Sequence, residues 1–225
     1  MIETIISTDK PITLVGGAPI TPSLLNLALN LAPQAVGVDG GANILLTLGK
    51  MPIAVIGDMD SIQSSVVAQI PRKSFHHILD QETTDFEKSL LRIETPMLIG
   101  VGFLGARIDH QMAAQTVLVR YPHMRCLLLG NKDLMFVIPP DFTLNLDAGV
   151  RVSLFPMAAC RVKSIGLQWP TNEFHFAPDG QVGTSNKSTG VIRLTPESPK
   201  MLAILPLNCL DKVKEALMEA PQWPK

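Results

Sequence analysis

The chain has 225 residues, of which 46% are hydrophobic and 17% are charged, and its formal net charge is −1. This length is enough for one large domain or two small ones. The near-zero charge gives no electrostatic reason to expect nucleic acid or an anionic membrane as a partner. No apolar stretch approaches the roughly 20 residues that a membrane-spanning helix needs.

The N-terminus and the cysteines both bear on the cellular compartment of the protein. The opening sequence MIETIISTDK lacks the basic start and apolar core of a signal peptide. Cys126, Cys160 and Cys209 are odd in number and far apart, so they fit neither a disulfide framework nor a zinc ligand set. We therefore expect reduced thiols in a cytoplasmic protein.

The first 130 residues alternate short apolar runs with amphipathic stretches. Thr21 and Pro22 predict a helix start, Gly49 a helix end, and Thr84–Glu87 a capping box. The predicted strands are 12–17, 35–41, 52–58, 74–80, 97–102 and 126–130, and the predicted helices are 22–32, 42–49, 85–94 and 107–121. Continuous apolar strands between helices predict a Rossmann-like parallel sheet with helices on both faces, as one α/β domain over residues 1–130.

After about Asn131 the pattern changes to short runs between turn residues, several of them alternating polar and apolar positions. This pattern is typical of an antiparallel β-sandwich or barrel, which we predict as a second domain over residues 131–225. The predicted strands are 133–139, 142–146, 151–157, 160–169, 180–186, 190–195 and 200–207, with a terminal helix over 210–220.

Acidic and glycine residues follow several strands of the predicted parallel sheet. Asp39-Gly40-Gly41 follows one strand, Asp58-Met59-Asp60 follows the next, and Gly102 and Gly105 follow a third. Ligands bind beyond the carboxyl ends of such strands, so the carboxylates are expected near one another. Because they repel, a cation should neutralise them, and oxygen ligands without His or Cys suit Mg²⁺ held together with substrate phosphates. Asp58 and Asp60 therefore predict a magnesium platform.

Each acid and base of this set also has a purely structural interpretation. Asp58 or Asp60 alone would be a helix N-cap, and Asp85 a partner of the helix dipole. Lys88 is either a phosphate clamp or the salt-bridge partner of Asp85 three residues earlier, and Arg107 either a clamp or the partner of a neighbouring acid.

Two glycine-rich motifs and the histidines are set aside. GVGFLG matches a dinucleotide-binding pattern, but no acid follows on a strand end about 20 residues later. GTSNKSTG lacks the spacing and second glycine of a P-loop. The five histidines show no metal-ligand spacing, and only His110 is near the predicted site.

Five segments taken together resemble the thiamin pyrophosphokinase family. The first three occur in the family's order and spacing, the two in the second half match as well, and the resemblance extends over roughly residues 13–206. The segments are VDGGANILLTLGKMPIAVIGDMDSI, DQETTDFEKSL, GFLGARIDHQMA, SIGLQWP and VGTSNKSTGVIRL. Ala106 is a departure, since many members carry a second glycine before the arginine.

The resemblance implies transfer of the pyrophosphoryl group of ATP to the hydroxyl of thiamin, which gives thiamin diphosphate and AMP. It implies Mg²⁺ ligands at Asp58, Asp60 and Asp85, with either Asp60 or Asp109 as general base. The positions that it matches to ATP and its phosphates are Asp39, Gly40, Gly41, Gln81, Lys88, Gly102, Gly105, Arg107 and Asp109.

The resemblance also implies that thiamin binds the β domain and that a homodimer shares its active sites. Trp169 then offers a ring face for thiamin, while Thr184, Ser185 and Asn186 offer polar groups for the pyrimidine edge. The structural alternatives are that Trp169 is a core residue and that the three polar residues form an ordinary turn.

Two other functions remain open at this point. One is a magnesium-dependent nucleotide hydrolase that uses water as acceptor. The other is a non-catalytic module that senses a nucleotide or ligand on the same fold, although the complete acid set together with Lys88 and Arg107 counts against it.

Overall fold

The computed structural model describes residues 2–225, which divide into two units. The first unit extends to Val117 and includes Leu128–Asn131, and the second comprises Leu118–Leu127 and Lys132–Lys225. Strands are parallel in the first unit and antiparallel in the second. The predicted combination of α/β and all-β segments is therefore confirmed as a mixed α/β fold with a large mixed sheet. Among the described residues no helix is both long and apolar enough to span a membrane.

The N-terminal elements follow the predicted alternation of strands and helices, with small additions. They are β1 (Ile6–Ser7), β2 (Ile12–Val15), α1 (Pro22–Leu31), β3 (Gln34–Val38), α2 (Gly41–Thr47), β4 (Ala54–Gly57), α3 (Ser64–Val67), β5 (Phe75–His77), α4 (Asp85–Leu90), β6 (Ile93–Glu94), β7 (Leu98–Val101), α5 (Ile108–Arg120) and β8 (Cys126–Leu129).

The predicted start and stop signals act as expected. The Thr21 side chain accepts a hydrogen bond from the Leu24 amide, with Pro22 at the first helical position. Gly49 has φ of 68° and ends α2, and the amide of Lys50 donates back to Leu45. The Thr84 side chain accepts from the Glu87 amide and so caps α4.

Two predicted elements of this region are wrong in extent. The strand predicted over 74–80 is only three residues long, because β5 pairs with β4 over Phe75–His77 alone. The helix predicted over 85–94 begins at Asp85 as expected but already ends at Leu90, since Ile93 and Glu94 instead form β6, which pairs with β1.

The parallel sheet of the first unit has the order β7-β2-β3-β4-β5. Val15 is in register with Gly37 and Val101, and Val38 is in register with Ile56. Every residue of β2, β4 and β7 is buried, as expected for continuous apolar strands of a covered parallel sheet. This register ends the four neighbouring strands β7, β2, β3 and β4 at one edge. The aspartates and glycines of the predicted site follow β3, β4 and β7 immediately.

The C-terminal elements are β9 (Asp133–Val137), β10 (Phe142–Leu144), β11 (Arg151–Pro156), β12 (Val162–Leu167), β13 (Gly183–Pro196), β14 (Met201–Pro206) and α6 (Leu210–Glu219). Their antiparallel order is β10-β13-β11-β14-β9, and β12 also pairs with β13. The predicted terminal helix is confirmed, and it buries Leu210, Val213 and Leu217 on one face.

The strands predicted over 180–186 and 190–195 are wrong as separate elements, because both belong to the 14-residue β13. Asn186 and Lys187 in its first half pair with β11, while residues 192–194 in its second half pair with β10 and 193–196 with β12. Gly190, with φ of 137°, lies between the two halves. A glycine accommodates this backbone change inside one continuous strand, so the sequence signal for a turn was misleading.

We expect Gly41→Ala to destabilise the protein, because the N-terminus of α2 lies directly against the end of β2. A β-carbon at Gly41 would lie 1.7 Å from the carbonyl oxygen of Val15, so backbone must move. The expected loss of unfolding free energy is about 2–3 kcal/mol, measured by urea denaturation. Gly17→Ala is the control, since its β-carbon meets no atom of the described residues within 4 Å. Equal stability of the two variants would contradict this account of Gly41.

Candidate active site

A cavity of about 550 Å³ opens in the first unit at the edge where the parallel strands end. Its wall contains five residues that the sequence analysis assigned to ATP or to Mg²⁺, namely Asp39, Gly40, Asp85, Gly102 and Arg107. His110 also lines it, as expected from its position beside Asp109. The fold thus brings these residues, from three separate sequence segments, to one concave surface at the common edge of the strands.

Three carboxylates converge beside this cavity. Asp39, Asp58 and Asp60 each offer an oxygen, and these oxygens all lie within 4.8 Å of one another. Asp39 is 92% buried, whereas Asp60 is exposed. Oxygen ligands from carboxylates at a half-open site match the preference of Mg²⁺, which usually keeps several waters and substrate phosphates. The chemistry of this donor set therefore fits the predicted cation.

Two residues at the acidic cluster, Asp39 and Met59, have left-handed backbone conformations. Asp39 has φ of 44° and Met59, between the two other carboxylates, has φ of 66°. Such left-handed conformations cost a non-glycine residue about 1–2 kcal/mol. Gly57, with φ of 155°, precedes the loop, and a β-carbon there would lie 2.9 Å from the β-carbon of Asp39. A glycine at position 57 thus makes room for the Asp39 side chain.

Lys88 joins Asp85 to the other acids. Its Nζ donates to Asp85 Oδ1 at 3.0 Å and lies 3.9 Å from Asp58 Oδ2, and its side chain is 3% exposed. The salt-bridge interpretation of Lys88 therefore describes its present contacts, because a buried ammonium needs a paired charge. Asp85 is the predicted ligand that lies outside the group of three carboxylates, to which Lys88 connects it.

Burial and neighbouring charges shift the pKa of Asp85. Burial raises the pKa of the Asp85 carboxyl above its ordinary value, although the hydrogen bond from Lys88 opposes the shift. The negative charges of Asp58 and Asp39 add to the rise. A divalent cation at the acidic cluster would reverse this electrostatic effect, because it favours the ionised carboxylate.

Gly102 and Gly105 shape the loop that leads into α5. Gly102 has φ of 77°, and a β-carbon there would lie 2.5 Å from the Gly16 carbonyl oxygen. Gly105 has φ of 87°, and its amide donates to Gln111 Oε1 at 2.9 Å. Both backbone positions therefore favour glycine, because their φ angles are positive. Ala106, the residue that departs from the pattern of the resembled family, lines the cavity.

Arg107 and Asp109 form an exposed ion pair where this loop leads into α5. Arg107 donates from Nε to Asp109 Oδ1 at 3.2 Å and from its terminal nitrogen to Oδ2 at 2.7 Å. This pairing is the structural interpretation considered for Arg107. The guanidinium lowers the pKa of Asp109 to about 2. Asp109 is therefore a weak base near neutral pH.

Gln81, which the resemblance places near the nucleotide, lies exposed in the loop between β5 and α4.

The predicted thiamin residues lie in the second unit. Trp169 is 50% exposed, so its interpretation as a core residue is wrong. Asn186 is buried, and its side chain accepts from the Trp169 amide at 3.2 Å and donates to the Trp169 carbonyl at 2.7 Å. Thr184 and Ser185 are exposed, and Ser185 has φ of 63°. The structure thus brings Asn186 onto the backbone of Trp169, with the two hydroxyl residues next to it in β13.

Asn43 and Ser61 are polar residues of the cavity wall that the sequence analysis missed. Asn43 lies in the first turn of α2, and Ser61 follows the acidic loop. The sequence signal that could have identified them is their position in the two segments that carry Asp39 and Asp60. Neither residue has a charge, however, so the search for ligands and clamps passed over them.

Parallel strands that end in carboxylates and glycines around a cavity define a class of α/β proteins that bind phosphorylated ligands at the sheet edge. Comparisons with known proteins specify the class further. Residues 25–128 match the family model described as thiamin pyrophosphokinase, catalytic domain, and residues 141–201 match the model described as thiamin pyrophosphokinase, vitamin B1 binding domain. The chain therefore belongs to the thiamin pyrophosphokinase family, and the predicted resemblance is confirmed.

Individual relatives agree with this assignment. Thiamine pyrophosphokinase 1 of Arabidopsis thaliana is 30% identical over 154 residues, which cover 60% of this chain and 58% of the relative. Thiamine pyrophosphokinase 1 of Oryza sativa subsp. japonica is 28% identical over 216 residues, which cover 79% and 80%. The matched region thus spans little more than half of the Arabidopsis relative.

Solved structures show the same fold at lower identity. A thiamin pyrophosphokinase from Geobacillus thermodenitrificans has a TM-score of 0.72 and 23% identity, over 87% of this chain and 96% of that one. The yeast thiamin pyrophosphokinase has a TM-score of 0.74 and 18% identity, over 95% and 91%.

Proposed function

We propose that this chain is a thiamin diphosphokinase, which transfers the pyrophosphoryl group of ATP to the hydroxyl of thiamin and releases AMP. The observation that carries the proposal is the match of both regions of one chain, in order, to the family's catalytic and vitamin B1 binding models. The nucleotide hydrolase is not favoured, because it does not account for the second match. The non-catalytic sensor is not favoured, because the acid set is complete and Lys88 and Arg107 accompany it.

We also propose which domain binds which ligand. We assign ATP and Mg²⁺ to a Rossmann-like catalytic domain over residues 1–130 and thiamin to a β-sandwich domain over 131–225. The acidic cluster and the cavity at the strand ends support the first assignment. The half-exposed Trp169, held at its backbone by Asn186, supports the second.

Mg²⁺ would be held by Asp58 and Asp60, with Asp39 beside them and Asp85 as the further predicted ligand. When bound, it would neutralise the phosphate charge that develops during transfer. The residues of the chain orient the reactants. Gly102 and Gly105 let backbone approach the phosphates, and Arg107 offers a planar pair of donors to a phosphate once it leaves Asp109.

The transfer forms one bond and breaks another. The thiamin hydroxyl oxygen bonds to the β-phosphorus of ATP, and the bond from that phosphorus to the oxygen bridging it to the α-phosphorus breaks, so AMP leaves. The hydroxyl proton must pass to a base. Asp60 and Asp109 are the two candidates for this base, and Asp109 can act only after Arg107 has left it for the phosphate.

We also propose a cytoplasmic homodimer with shared active sites. The cytoplasmic assignment is supported by Cys126, Cys160 and Cys209, which are all free and buried. The dimer follows from the family resemblance and predicts a single species of about twice the 24.4 kDa chain mass in sedimentation velocity. A monomer at micromolar concentration would contradict it.

The product balance tests the reaction directly. The protein is incubated with ATP, Mg²⁺ and thiamin, and all products are quantified by chromatography. We expect thiamin diphosphate and AMP in equal amounts and no turnover without thiamin. Release of ADP or pyrophosphate in the absence of thiamin would instead support a hydrolase, and no turnover under any condition would support a sensing module.

Asp58→Asn and Asp60→Asn should each reduce turnover by at least a hundredfold and leave the fold intact. Each variant removes one charged oxygen ligand at a strand end, which corresponds to several kcal/mol of transition-state stabilisation. The measurement is kcat at saturating Mg²⁺, together with the thermal midpoint. Asp9→Asn, at an exposed position of the same unit, is the matched control. Near-normal turnover of both site variants would refute the magnesium platform.

Trp169→Ala should weaken thiamin binding much more than ATP binding. Packing of an aromatic face against the charged thiazolium contributes about 0.5–2 kcal/mol, so the Kd for thiamin should rise about 2- to 30-fold. The thermal midpoint should change little, because Trp169 is already half exposed.

Trp223→Ala provides the contrast for this experiment. The Trp223 indole N–H donates to the Ile138 carbonyl at 2.9 Å, so its loss should lower stability without weakening thiamin binding. Thiamin binding that is unchanged in Trp169→Ala, measured by calorimetry on the folded protein, would show that the ring does not contact thiamin.

A further inference from the structure

The loop that carries Asp58 and Asp60 needs an external restraint. Its carboxylate oxygens lie within 4.8 Å of one another and of Asp39, and like charges at this distance repel. Its central residue, Met59, has φ of 66°, which is unfavourable for a side chain of this kind. Both effects favour other loop conformations in the absence of a cation, so the conformation with converging carboxylates must be stabilised elsewhere.

Asn43 supplies two such contacts from the first turn of α2. Its Nδ2 donates to the Ser61 carbonyl at 2.8 Å, and its Oδ1 accepts from the Gln63 amide at 3.0 Å. The two contacts use both ends of one amide. A side chain with only a donor or only an acceptor would satisfy just one of them. Asn43 therefore fixes the loop on the C-terminal side of Asp60.

Ser61 transmits this restraint to the carboxylates. The Ser61 hydroxyl donates to Asp60 Oδ1 at 2.8 Å, and the Ser61 amide lies 3.4 Å from Asp39 Oδ1. Asn43 holds the carbonyl of the same residue. Displacement of Ser61 would therefore change the positions of two of the three acidic side chains. Nothing comparable connects Asn43 to Asp85, which Lys88 holds instead.

We infer that Asn43 is a positioning residue that pre-organises the Asp58–Asp60 loop for a divalent cation. The inference deepens the proposed function and rests on its cation site. Asn43 itself contacts backbone, and it acts on the metal through the geometry of the loop. Loss of a residue that orients metal ligands in this way commonly weakens metal binding 10- to 100-fold.

The test uses Mn²⁺ as a paramagnetic probe with the same preference for oxygen ligands. Free Mn²⁺ is measured by electron paramagnetic resonance in titrations of the full chain without nucleotide. Asn43→Leu, which keeps the side-chain volume without polar atoms, and Asn43→Ala should each raise the Kd about 10- to 100-fold. Asn26→Ala, at an exposed position in α1, should leave the Kd unchanged.

Hydrogen–deuterium exchange provides the readout that does not depend on metal. In Asn43→Leu, the amides of residues 61–63 should exchange faster, since Gln63 loses its acceptor, while the strands of the first unit keep their protection. Equal Mn²⁺ affinity in wild type and variants would overturn the inference. So would absence of Mn²⁺ uptake by the wild type, unchanged exchange at 61–63, or faster exchange throughout the unit.

The outcome is separable from that of the reaction assignment. A wild-type protein that forms no thiamin diphosphate, but whose Mn²⁺ binding depends on Asn43, would refute the proposed function and leave the positioning role standing. A protein that forms thiamin diphosphate, and whose Mn²⁺ affinity does not change in Asn43→Leu, would refute only the role of Asn43.

Discussion

The parallel register of β3 and β4 is the constraint on which the candidate site depends. Val38 pairs with Ile56, and the Asp39 amide donates to the Ile56 carbonyl at 2.9 Å, so the residues after both strands are brought side by side. Those residues are carboxylates, which repel one another. The fold therefore concentrates negative charge at one sheet edge, and the surrounding structure serves to hold that charge in place.

Neighbouring residues accommodate this arrangement in three different ways. Gly57 makes room for the Asp39 side chain, Lys88 places a buried positive charge between Asp85 and Asp58, and Asn43 fixes the backbone beyond Asp60. None of these contacts removes the repulsion completely. A bound cation would therefore meet ligands whose positions are already set, and little loop reorganisation would oppose its binding.

The second unit uses a related device without charge. Asn186 is buried and bonds to both backbone polar groups of Trp169, so the amide fixes the main chain while the indole remains half exposed. In both units an asparagine side chain thus hydrogen-bonds to backbone groups of a distant segment. Asn186, which the sequence suggested as a ligand contact, is therefore already engaged in intramolecular hydrogen bonds.

The sequence by itself determined the family, the mixed α/β class, most strands and helices, and the acidic strand ends, because hydrophobic periodicity, caps and motif order are local signals. Tertiary structure decided which acids meet. Asp39 joins Asp58 and Asp60 through strand register, while Asp85 is engaged by Lys88. It also joined two predicted strands into β13, because pairing with three other strands outweighs the turn preference of Gly190. Such partners are distant in sequence, so no local pattern specifies them.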